Sequence, residues 1–162
     1  MKFKDLLTED FKDGFGYHLS RDDKLKLKPI KVFNTPTLNK PFFGDGFWLS
    51  PNTEWVDLVD GMRGKYLYKV NFKGKSLVID SDTSFKKAHK KYAFDFDKKT
   101  DRILKKNPKA QWNLDYEKIK KDFDILFIDT SKFDFKKYNL DNWDIPSIMI
   151  MKKTAVKKIE FV

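Results

Sequence analysis

The chain has 162 residues, of which 40% are hydrophobic and 16% aromatic, and this length and apolar content predict a single packed domain over residues 1–162. It contains no cysteine, which excludes disulfides, thiolate zinc sites and cysteine nucleophiles. The formal net charge of +10, from 34 basic and 24 acidic residues, favours contact with phosphate groups, although scattered solvated lysines would give the same total.

Membrane and metal sites are not expected. No apolar run approaches the roughly 18 residues that a membrane-spanning helix needs. The start of the chain lacks the apolar region and small-residue cleavage site of a signal peptide, so we expect a cytoplasmic, intracellular protein. His18 and His89 are the only histidines, and neither has a second histidine at helical spacing, which argues against a histidine metal site.

The N-terminal part is predicted to contain one helix or arm, one strand and one long loop. Residues 1–13 place phenylalanine and leucine at helical spacing, which indicates a short amphipathic helix or arm. Residues 15–20 follow as a first strand. Residues 30–45 hold two prolines and three phenylalanines, and we expect a long ordered loop of the kind that lines a site.

A short strand and a helix are predicted next. Phe47 to Leu49 form the strand, and Ser50-Pro51 is a helix-start signal, with serine as N-cap and proline in the first turn. The helix should run to about Asp60. Its buried stripe falls at i, i+3, i+4 and i+7 and consists of Trp55, Leu58, Val59 and Met62.

The rest of the chain is predicted to add strands around a helical insert. Alternating apolar residues predict strands at 66–72 and 76–80. Residues 83–123 are a lysine-rich helical insert, predicted as two helices that separate near Asn107-Pro108. Three more apolar strands are predicted at 124–128, 147–151 and 156–162. The fold class is therefore α+β, built on a mixed or antiparallel sheet with flanking helices.

Conventional catalytic motifs are missing. There is no phosphate-binding P-loop, no G-x-G-x-x-G and no G-x-S-x-G. Two close carboxylate pairs, Asp80 with Asp82 and Asp95 with Asp97, are of the kind that can hold Mg²⁺, but solvated turns are the favoured explanation.

Several short motifs occur in an order that resembles the NAD-binding core of the ADP-ribosyltransferase superfamily. The pattern is closest to the small rifamycin-modifying ADP-ribosyltransferases, and the closing strands are similar to poly-ADP-ribose polymerase catalytic domains. The likeness covers residues 15–82 and 122–162. Its motifs are Tyr17-His18-Leu19-Ser20, Gly46-Phe47-Trp48-Leu49-Ser50-Pro51, the helix with Trp55, the strand ending at Val70, and Val78-Ile79-Asp80.

The resemblance implies a split β-sheet core and residues that bind NAD as a substrate. His18 would anchor a ribose, with Leu19 and Ser20 beside it; a half-buried strand histidine bonded to backbone is the alternative. Trp48 stands where the family has a tyrosine that stacks on nicotinamide, and an indole lacks the phenol hydroxyl. Ser50 would contact the nicotinamide-side ribose or cap the helix, and Trp55 belongs to the same cofactor-binding set.

The catalytic carboxylate is less clearly marked. Asp80 and Asp82 stand at the turn where rifamycin-type enzymes carry an aspartate and are the first choice. Asp144 is the second, because Ser147 occupies the position of the polymerase-type glutamate.

The expected activity is NAD-dependent ADP-ribosyl transfer to a macromolecular acceptor, a protein or a nucleic acid. Two alternatives stay open. One is a non-catalytic basic module that binds nucleic acid or protein on the same fold. The other is an NAD-dependent RNA 2'-phosphotransferase, which the basic charge favours. Against it, the second histidine and the arginine of that family's site have no match in the chain, whose only arginines are Arg21, Arg63 and Arg102.

Overall fold

The structure is a computed structural model that describes residues 14–34, 46–52, 66–140, 143 and 145–162. The predictions for the N-terminal helix or arm, for the helix after Pro51 and for most of the 30–45 loop lie outside these residues. So do two of the predicted site residues, Trp55 and Asp144.

The described residues contain seven strands and three α-helices. The strands are β1 (Gly14–Ser20), β2 (Phe47–Leu49), β3 (Tyr66–Phe72), β4 (Ser76–Ile79), β5 (Ile125–Ile128), β6 (Ser147–Ile150) and β7 (Val156–Phe161). The helices are α1 (Asp82–Tyr92), α2 (Asp101–Lys106) and α3 (Tyr116–Asp122). Short 3-10 turns span Pro108–Trp112, Phe135–Tyr138 and Lys153–Ala155.

The strands form two sheets. The first is antiparallel with the order β1-β3-β7, and the second has the order β2-β6-β5-β4. In the second sheet β4 and β5 run parallel, whereas β6 is antiparallel to both of its neighbours. The carboxyl ends of β2, β5 and β4 therefore lie at the same end of the sheet, where β6 begins.

The second sheet is the central layer of the fold. Alternate side chains on one face pack against the first sheet, where Val70 and Phe72 are fully buried. The other face packs against the helical segments, and Phe85 and Ile119 are buried there. Every residue of β5 and β6 is buried, so β5 is a continuous apolar run, and β6 is apolar after its first residue, Ser147.

The insert is helical as predicted, but it holds three α-helices and a 3-10 turn rather than two helices. Ser81 caps α1 in a reciprocal capping box with Ser84, and Asp115 caps α3 by accepting a hydrogen bond from the Lys118 amide. Helix α2 ends at Lys106, and Pro108 then opens the 3-10 turn, which explains the break predicted at this proline. The additional helix arises because Asp115 starts a new one after an extended residue, Leu114.

The predicted α+β class is confirmed at this level: two sheets, one antiparallel and one mixed, with few helices. Within the described ranges, no helix is long and apolar enough to cross a membrane.

Candidate functional site

The two sheets are joined where β1 passes the end of β2. Tyr17 and Ser50 exchange two backbone hydrogen bonds, each 2.8 Å long, in an isolated antiparallel bridge. Gly16 permits this approach, because a Cβ atom at that position would lie 2.9 Å from both the Leu49 Cβ and the Ser50 carbonyl oxygen. The motifs around Tyr17 and Ser50, some thirty residues apart in sequence, are thus adjacent in space.

His18 lies at this junction and is held by backbone and ring contacts. Its Nδ1 atom is 2.9 Å from the Trp48 carbonyl oxygen, and its ring centroid is 4.5 Å from that of Phe47. Burial lowers the pKa of His18, and the hydrogen bond to the Trp48 carbonyl opposes that effect only in part. A carbonyl can only accept, so the neutral imidazole carries its proton on Nδ1 and leaves Nε2 as an acceptor.

Three other predicted residues flank His18. Leu19 is buried in the core and pairs with Leu67 of β3. Ser20 is buried, and its hydroxyl oxygen accepts a hydrogen bond of 3.1 Å from the Asp22 amide. Ser50 is fully buried, and its hydroxyl donates to the Asn52 carbonyl at 2.5 Å.

The indole of Trp48 points away from this junction. Phe47 and Leu49 pack between the two sheets, whereas Trp48, the residue between them, packs against the helical side of the second sheet. Its ring centroid is 4.6 Å from that of Trp143, which is fully buried. Trp48 therefore contacts His18 through its carbonyl oxygen, while its half-buried ring lies on the opposite face of β2 from Phe47.

Asp80 and Asp82 follow β4, which is the outermost strand of the second sheet on the side away from β2. Strands β6 and β5 separate β4 from β2, which at a strand spacing of about 4.8 Å amounts to roughly 14 Å. The Asp82 carboxylate lies 2.7 Å from the Lys137 ammonium and accepts a hydrogen bond of 2.5 Å from the Tyr138 hydroxyl. Hydrogen bonds from Lys137 and then Tyr138 lower the pKa of Asp82. The structure thus ties Asp82 to the helical layer and does not place it beside His18.

Asp129 is another carboxylate at this end of the sheet. The sequence patterns did not predict it as a site residue. It directly follows β5, whose last residue Ile128 pairs with Ser147, so it lies one strand nearer to β2 than Asp80 does. Asp129 is 7% exposed and accepts hydrogen bonds from the hydroxyl and amide of Ser131, and Lys132 lies 3.2 Å away. Its signal in the sequence is a lone aspartate at the end of a wholly apolar strand.

Thr130 adds a second buried polar group beside this carboxylate. Its hydroxyl has no hydrogen-bond partner within the described part of the chain. Across the same ranges, no group of three or more histidine or acidic side chains could hold a metal ion.

No family model, no curated protein and no solved structure matches the chain.

Proposed function

We propose that the protein binds NAD at the junction of the two sheets and transfers its ADP-ribosyl group to a macromolecular acceptor. The observation that carries the proposal is the hydrogen bond between His18 Nδ1 and the Trp48 carbonyl oxygen, 2.9 Å long, which leaves a neutral imidazole with Nε2 as an acceptor. No partner for Nε2 is found among the described residues. Such an acceptor suits a ribose hydroxyl, which can donate to it.

The proposed reaction breaks one bond and forms one bond at the same carbon. The bond between nicotinamide and the ribose C1' carbon breaks, nicotinamide leaves with the electron pair of that bond, and an acceptor nucleophile forms a new bond to C1' while losing a proton. Positive charge develops on the sugar, so a carboxylate nearby would stabilise the transition state. The candidates are Asp129, which follows β5, Asp80, which follows β4 and lies one strand farther from β2, and Asp144, which stays a prediction.

The role proposed for His18 is to orient the ribose rather than to transfer a proton. Its lowered pKa keeps it neutral near pH 7, and the Trp48 carbonyl holds the ring in one orientation. Ser20 lies two residues along β1 from His18, and Ser50 is bridged to Tyr17; both are buried, and their hydroxyl groups are engaged with backbone atoms. The half-buried Trp48 ring stays a candidate for nicotinamide, although it faces the other side of β2.

The test is NAD binding by two matched histidine variants. NAD should raise the melting temperature of the wild-type protein, since a ligand that binds only the native state stabilises it. His18→Ala should lose this shift, whereas His89→Ala, which removes the histidine of the helical insert, should keep it. Release of nicotinamide in the presence of candidate acceptors would then establish turnover.

The outcomes also separate the alternatives. No thermal shift with millimolar NAD and no nicotinamide release would reject the NAD-dependent reaction. Salt-sensitive binding of RNA or DNA by the same protein would instead support a basic binding module. Transfer of an RNA 2'-phosphate, with NAD consumed, would identify the phosphotransferase.

A further inference from the structure

A groove of about 420 Å³ runs between β4 and α1, on the far side of the second sheet from His18. One wall is strand β4 with the residue before it, Lys75, and the other wall is helix α1. Tyr92, the last residue of α1, and Phe123 also line it. Neither His18 nor any other residue of the proposed NAD site lines it.

Strand β4 brings an unpaired edge to this groove. It is the last strand of its sheet, and no strand pairs with its outer side in the part of the chain that the structure describes. The carbonyls of Lys75 and Ile79 accept hydrogen bonds from the β5 side, from the amides of Ile125 and Asp129. Because backbone groups alternate along a strand, the amides and carbonyls of Ser76 and Val78 face outward.

The helix wall presents one regular stripe to the groove. Ser84, Lys87, Ala88 and Lys91 fall at i, i+3, i+4 and i+7 of α1 and all line it. Ala88 is buried, so the stripe has a small apolar centre between two lysine stems. An edge strand facing a helix across a groove can accept an extended peptide as an additional strand.

The groove is positively charged. Lys75, Lys87 and Lys91 line it, and no carboxylate does. The Lys91 ammonium forms an ion pair with the Asp122 carboxylate at 3.3 Å. The Lys75 ammonium lies over the Phe123 ring, 5.2 Å from the ring centroid. Lys87 is exposed, and the ion pairs between described residues do not include it. The lining therefore complements an acidic partner.

We propose that this groove binds an extended acidic peptide segment of a partner protein, which adds as a strand to β4 and places its carboxylates against Lys87 and Lys91. A peptide fits better than single-stranded nucleic acid, because bases need exposed aromatic faces. Tyr92 is buried with its hydroxyl on Asp122, and Lys75 covers the Phe123 ring. Binding at this groove is independent of the NAD chemistry proposed above.

The probe is a short fluorescein-labelled peptide that alternates valine and glutamate, titrated with the full chain and followed by fluorescence anisotropy. The peptide should bind, and added salt should weaken binding. Lys87→Glu should reduce the affinity roughly tenfold, since an attraction becomes a repulsion. Lys86→Glu is the matched control: it makes the same charge change on the opposite side of α1 and should alter the affinity less than about twofold.

A second peptide tests strand addition separately from charge. The same sequence with alternate amides N-methylated keeps its carboxylates but loses the backbone donors, and it should not bind. Equal binding of the methylated peptide, or equal losses in the two lysine variants, would overturn the proposal. So would binding of a labelled oligothymidylate that Lys87→Glu abolishes, because it would assign the groove to nucleic acid.

Discussion

The imidazole of His18 is fixed to the main chain of Trp48, with 2.9 Å between Nδ1 and the carbonyl oxygen. This hydrogen bond lies next to the bridge between Tyr17 and Ser50, so the histidine lies at the point where the two sheets meet. It also sets the tautomer, because a carbonyl accepts only from a protonated nitrogen.

His18 should make the protein less stable in mild acid. Burial lowers its pKa below the ordinary value of 6.5 in the folded state, so the unfolded chain binds the proton more readily. The stability that neutral His18 contributes to the folded state is fully present above pH 6.5. It is lost as the pH falls from 6.5 through the lower pKa of the folded state. Urea unfolding at several pH values should show a shallower fall for His18→Gln than for the wild type. If stability falls equally steeply with pH in both proteins, the pH dependence comes from groups other than His18.

Gly16→Ala should destabilise the junction of the two sheets. The new Cβ atom would meet the Leu49 Cβ and the Ser50 carbonyl oxygen at 2.9 Å, and backbone cannot move aside as a flexible side chain can. We expect a loss of about 1–3 kcal/mol in the free energy of unfolding, measured by chemical denaturation. Phe15→Ala is the control on the same strand, since Phe15 is 44% exposed. A comparable loss in both variants would contradict the steric explanation.

Trp48→Ala tests whether the indole packs or binds ligand. Its ring lies 4.6 Å from Trp143, so we expect a loss of about 2 kcal/mol in stability, measured by urea unfolding. Phe33→Ala removes an aromatic ring that is 43% exposed and should cost much less. If the folded Trp48 variant instead binds NAD more than about tenfold more weakly, with stability unchanged, the indole contacts nicotinamide as the family resemblance implies.

Asp82→Asn should leave NAD binding and nicotinamide release within about twofold of the wild type. Its carboxylate is engaged by Lys137 at 2.7 Å and by the Tyr138 hydroxyl, and two strands separate β4 from β2. The lowered pKa of Asp82 means that its own contribution to stability is present above pH 3.8 and is lost as the pH falls through the folded value. Asp95→Asn, at an exposed ion pair with Lys118, is the control.

A large loss of nicotinamide release in the Asp82 variant, with the protein still folded and binding NAD, would make Asp82 the catalytic carboxylate. The same assay on Asp80→Asn and Asp129→Asn compares the two carboxylates that follow β4 and β5. Asp129 is 7% exposed and paired with Lys132, so its variant needs an unfolding measurement beside the kinetic one.

Local sequence patterns predicted most of the strands closely. Residues 66–72 alternate between buried and half-buried positions, and the strand spans Tyr66–Phe72 as predicted. The break at Pro108 was predictable because proline restricts the residue before it. The third helix of the insert was not, because Asp115 caps it and a single aspartate between apolar residues is a weak helix-start signal.

The sequence by itself determined the class of the fold, the absence of cysteine chemistry and the position of His18 in a strand. Periodicity and caps report local burial, and these properties need no knowledge of distant partners. Only the tertiary structure decided that β4 lies at the edge beyond β5 and β6, that Asp82 pairs with Lys137, and that the Trp48 ring turns from His18 toward Trp143. Sheet order and side-chain pairing depend on contacts between residues far apart in the chain, and no local pattern encodes them.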